Sequence, residues 1–118
     1  MRQKFREMKN EDYTIFVQGK IVGICESILK EEIGIIAGSR RIKSLGFELF
    51  DNNDEDFLFF IGMDSLTDHL PVDFERRNWS LDALERKDKE IAEFESVSRE
   101  DVFKACIKLI NRFDIKIN

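Results

Sequence analysis

Over the last third of the chain, Leu81, Leu84, Ile91, Phe94, Ser98, Val102, Ala105, Leu109 and Phe113 recur at three, four or seven residues. That period belongs to an α-helix with one covered face, because a strand alternates every second residue. Ser80 stands where an N-cap belongs, with Asp82 and Glu85 in the first turns. Read unbroken, the helix is about 50 Å long at 1.5 Å per residue. The run Ser98-Arg99-Glu100-Asp101 has the pattern of a capping box and marks where a bend would fall.

The same period governs the first half. Tyr13, Val17, Ile21, Ile24 and Ile28 define a helix from about Asp12 to Lys30, widened by Phe16, Cys25 and Leu29. Gly19 and Gly23, one turn apart, suggest a close approach by a neighbouring helix. A second helix is expected from about Glu31 to Leu45, with Ile35, Ile42, Leu45 and Leu49 on its stripe. Arg40, Arg41 and Lys43 complement its C-terminal end, and Gly46 is its stop. Residues 1–9 read as a short basic lead-in and those after Asp114 as a tail. One proline and six glycines are too few for a many-turned β fold. The expectation is one all-α domain over residues 1–118: a bundle of three to four helices with a long C-terminal helix.

Between Phe47 and Glu75 the character changes. Glu48, Asp51, Asp54, Glu55, Asp56, Asp64, Asp68, Asp73 and Glu75 occur with no Lys or Arg among them. Phe50, Phe57, Leu58, Phe59, Phe60 and Ile61 are interleaved. Asp51-Asn52-Asn53-Asp54 reads as a turn, followed by a short helix that Asp54 caps and Gly62 ends. Ser65 to Val72 reads as an irregular loop closed by Leu70-Pro71, since the residue before a proline avoids helical geometry.

Several chemistries are disfavoured. A calcium loop starting at Asp51 needs glycine at position six and glutamate at twelve, where this chain has Asp56 and Gly62. Asp64, Asp68 and His69 could form a base and its orienting acid, or a metal site. Nothing beside them supplies an oxyanion hole or a phosphate cradle, and turn capping accounts for Asp64, Ser65, Thr67 and Asp68. No catalytic residue, metal ligand or cofactor is therefore assigned. A net charge of −5 argues against nucleic acid as a partner. No apolar run reaches the length of a membrane span, and no signal peptide is recognisable, so the cytoplasm is the expected compartment. Cys25 and Cys106 lie in helical apolar patterns and read as buried thiols. The eleven phenylalanines read mainly as core filler. Arg76, Arg77 and Trp79 offer either an interface anchor or, preferably, a staple of the last helix to the core.

Asp56-Phe57, Asp64-Ser65, Thr67-Asp68-His69-Leu70-Pro71, Trp79, Leu84, Lys87-Asp88, Glu90-Ile91, Ala105-Cys106 and Arg112-Phe113 together resemble a family of small helical bacterial proteins, most of them uncharacterised. Helical proteins of this kind also occur as immunity proteins of contact-dependent growth inhibition systems. The resemblance covers roughly the second half of the chain. It implies a helical fold and a class of biology, and it transfers no catalytic role. After Pro71-Val72 the resemblance leads one to expect glycine, and this chain has Asp73.

The leading expectation is an immunity protein that covers the basic substrate groove of a cognate protein toxin, such as a nuclease. Asp51, Asp54, Glu55, Asp56, Asp64, Asp68 and Asp73 would meet the groove, with Trp79 or phenylalanines at the desolvated centre. The alternative is a non-catalytic scaffold that self-associates through its long last helix. An enzyme using Asp64, Asp68 and His69 is the third reading.

Overall fold

The computed structural model describes residues 10–49 and 54–113. They form four α-helices: α1 (Asn10–Leu29), α2 (Ile35–Leu49), α3 (Glu55–Thr67) and α4 (Leu81–Arg112). A 3-10 turn at Asp73–Asn78 leads into α4. No strand occurs among the described residues, so the fold is the expected all-α bundle with a long final helix. The lead-in, Phe50, Asp51-Asn52-Asn53 and the tail lie outside the described residues.

α1 covers its core with Val17, Ile21, Cys25 and Ile28. Phe16, grouped with that stripe in the sequence, points outward and is 51% exposed. The helix ends at Leu29, close to the expected Lys30. Glu31 turns left-handed at φ 59°. Its N–H donates to Ile28 O at 3.0 Å, and Glu32 N–H donates to Ser27 O at 2.8 Å. This is a Schellman closure built on a glutamate.

α2 therefore starts at Ile35, four residues later than expected. Its first turn carries no acid of its own. Glu95 supplies one from α4: Oε2 accepts the Ile36 N–H at 3.2 Å, so the cap comes from a neighbouring helix. α2 also runs through Gly46 to Leu49. A Cβ at Gly46 would clash with the edge of the Phe57 ring, so this glycine lets α3 approach rather than stopping α2. Gly19 and Gly23 show the reverse, with nothing within 4 Å of an added Cβ.

Asp54 caps α3 by accepting the Asp56 N–H at 3.1 Å. Gly62 does not end α3, which continues to Thr67 and so absorbs part of the expected loop. The buried Thr67 hydroxyl donates to Met63 O at 2.7 Å. Asp73, where glycine was expected, adopts φ 55°. Aspartate tolerates this left-handed region better than most residues.

Ser80 caps α4, accepting the Ala83 N–H at 3.1 Å. The helix is unbroken through Ser98, whose hydroxyl donates to Phe94 O at 2.8 Å. Its 32 residues match the 49 Å long dimension of the molecule. Val102, Cys106 and Leu109 are buried, and Phe113 just beyond the helix joins them. The N-terminal half buries nothing fully: Leu81, on the sequence stripe, is 84% exposed. Phe57, Phe60 and Phe113 fill the core, whereas Phe16, Phe47 and Phe74 do not, so the phenylalanines are split between core and surface.

Cys25 and Cys106, remote in sequence, meet where α1 packs on α4. Both are fully buried free thiols. The neighbouring thiol and burial push the Cys25 thiol far up from its ordinary value.

Candidate protein-binding surface

The acidic segment lacks cations of its own, but the fold brings them from α2 and α4. Arg112 grips Asp54, with Nη2 2.8 Å from Oδ2, and Asp56, with Nη1 2.6 Å from Oδ2. Lys108 adds a second contact to Asp56 at 3.3 Å. The Arg112 guanidinium holds the Asp54 carboxyl below its ordinary value. In return the two carboxylates raise the Arg112 value.

Asp64 is held by α2. Lys43 Nζ lies 2.6 Å from Oδ2 and Arg40 Nε 3.2 Å from Oδ1. Arg40 also donates to the carbonyls of Thr67 and Leu70 and meets Glu75 at 3.3 Å. It thus ties α2 to the end of α3 and to the corner before Pro71. Arg40 and Lys43, read from the sequence as complements to a helix end, sit mid-helix and make tertiary ion pairs instead. Arg41 reaches Asp73 at 3.4 Å on the surface.

Of the sequence-selected acids, Glu55 and Asp68 are exposed and Asp73 is half-exposed. Asp54, Asp56 and Asp64 are largely covered by their cations. Asp51 lies outside the described residues. Asp64 is not the partner of His69. His69 Nε2 lies 3.1 Å from Glu90 Oε2 on α4. Among the described residues no three His, Cys, Asp or Glu side chains converge as a metal site.

Trp79 is not part of the core and is 36% exposed. Lys87 Nζ stands 6.0 Å from its ring centroid. The staple expected of Trp79 is made by Arg76, whose guanidinium meets Asp88 in a two-pronged pair at 2.7 and 3.0 Å.

One concavity combines exposed apolar side chains with acids. It lies between the C-terminal end of α3 and the half-uncovered part of α4. Leu66, His69, Leu70, Glu90, Glu93, Phe94 and Val97 line its volume of about 290 Å³. Leu66 is 65% and Val97 81% exposed. Glu90 and Glu93 line the α4 side; the exposed Asp68 precedes His69 in the chain but does not line the groove. Sequence reading missed this groove because Leu66 and Val97 are adjacent only once α3 runs antiparallel to α4. A broader depression lies between α1 and α2, floored by Ile24, Ala37 and Leu45. No described helix is long and apolar enough to cross a membrane.

Comparison of the chain with protein-family models, curated proteins and solved structures finds no significant match in any of the three.

Proposed function

We propose that this chain is a binding protein that receives a basic protein partner in the groove between α3 and α4. The carrying observation is that groove, with exposed Leu66 and Val97 beside Glu90 and Glu93. Apolar surface of this kind gains by being covered, and carboxylates around it select positive charge and speed encounter. The covered acids Asp54, Asp56 and Asp64 serve the fold, whereas Asp68, Glu93 and Glu55 offer charge outward. Trp79 lies near the same surface, under the Lys87 that pairs with Glu90 at 3.2 Å.

Joined to the family resemblance of the second half, this surface supports an immunity protein. The partner is then a bacterial toxin with a cationic substrate groove, such as a nuclease, and neutralisation is steric and electrostatic. The test is growth rescue. The C-terminal region encoded by the gene immediately upstream is expressed with and without this protein. Arrest without it and recovery with it support the reading. Toxicity that persists in its presence, or an upstream product without toxicity, removes the immunity assignment.

A further inference from the structure

We infer that two copies of this chain pair through the outward face of α1, antiparallel and centred midway between Gly19 and Gly23. Among the described residues only one side of α1 is covered, and its other side mixes apolar residues with Glu11, Asp12, Lys20 and Glu26. On the uncovered side Ile15 is 54% and Phe16 51% exposed. Gly19 and Gly23 lie between these and the helix end, open enough that an added Cβ at either meets nothing within 4 Å.

The second copy is identified by charge. At 100° per residue, Asp12, Gly19, Gly23 and Lys30 fall on one line along this face. An antiparallel pairing centred midway between Gly19 and Gly23 sets Asp12 of each copy opposite Lys30 of the other. The same register sets Gly19 opposite Gly23, where two backbones can approach. It also places Phe16 of one copy beside Gly23 and Ser27 of the other. There a groove of about 510 Å³, lined by Gly23, Ser27 and Ala37 and by the charged Glu32, Arg41 and Asp73, opens toward α2. A parallel pairing would instead set Asp12 against Asp12. α1 and α3 each pack on α2 and α4 with little contact between them, so the α3–α4 groove stays open in the pair. A single helix-on-helix contact about 30 Å long is small, and the dimer should dissociate on dilution.

The experiment is sedimentation velocity of the full chain over a wide concentration range. All altered positions are exposed, and circular dichroism and thermal melting verify that each variant folds. The wild type is expected to shift from monomer to dimer as concentration rises. Asp12→Lys alone and Lys30→Asp alone should each weaken the dimer on the order of tenfold, because two attractions become two repulsions. An equimolar mixture of the two variants should recover dimerisation, since every facing pair is then complementary. Gly23→Leu should abolish the dimer while leaving the monomer folded. A chain that stays monomeric at all concentrations overturns the inference. So does a dimer indifferent to these changes, which places the contact elsewhere.

Discussion

At Gly46 a missing side chain decides how two helices meet. The edge of the Phe57 ring would clash with a Cβ there, so Gly46→Ala must push that ring or separate α2 from α3. Overpacking of this kind costs about 1–3 kcal/mol, to be read from urea unfolding midpoints. An unchanged midpoint would mean the ring has room to move. Glu31 is the opposite case, a side chain where its absence would help. Its left-handed φ of 59° is strained for a glutamate and natural for glycine. Glu31→Gly should therefore gain up to about 1 kcal/mol, less what the exposed Arg99 pair contributes. Cys25 and Cys106 are fully buried, and the Cys25 thiol is pushed far from its reactive form. Thiol reagents at mildly alkaline pH should modify Cys25 only as fast as the bundle opens. Labelling of the native protein at the rate of the unfolded chain would show that the pair is accessible.

The helices were legible because their periods are local, and their ends were less so because long-range partners set them. Asp54 and Ser80 cap as their positions imply, each using a backbone N–H two or three residues on. Gly46 and Gly62 read as stops, yet α2 runs on to Leu49 and α3 to Thr67. The start of α2 depends on Glu95, fifty-nine positions away, which no local pattern announces. The acidic segment misleads for the same reason, since Arg112, Lys108, Arg40 and Lys43 reach it only in the fold. The pairing of α3 with α4 has a pH signature. Because Arg112 lowers the folded-state value of Asp54, this stabilisation is complete above the ordinary carboxylate range near pH 4 and is lost as pH falls through the lowered value. Arg112→Met should then destabilise the protein at pH 7 and matter progressively less below about pH 4, flattening the acid limb of its stability curve. Equal losses on both sides of that range would assign Arg112 a packing role instead.

At the scale of the whole molecule, the long helix is used twice. Its C-terminal half closes the core through Val102, Cys106 and Leu109, and its N-terminal half forms one wall of an open groove. That division separates stability from binding and makes the proposed interface testable without disturbing the fold. Leu66→Asp combined with Val97→Asp changes two side chains already 65% and 81% exposed. Unfolding stability should shift by no more than about 1 kcal/mol for the pair. Growth rescue, or capture of the basic partner, should be lost, because two carboxylates would occupy the desolvated centre. Asp68→Lys with Glu93→Lys should leave the groove's apolar floor intact while slowing association and reducing its salt dependence. Reversal at Asp54 and Asp56 is a weaker probe, because it also sets cation against Arg112 and so lowers stability. If rescue survives the Leu66 and Val97 changes but fails when Glu55 is reversed, the partner docks at the start of α3 rather than in the groove. The acidic segment would then be the interface despite its internal ion pairs.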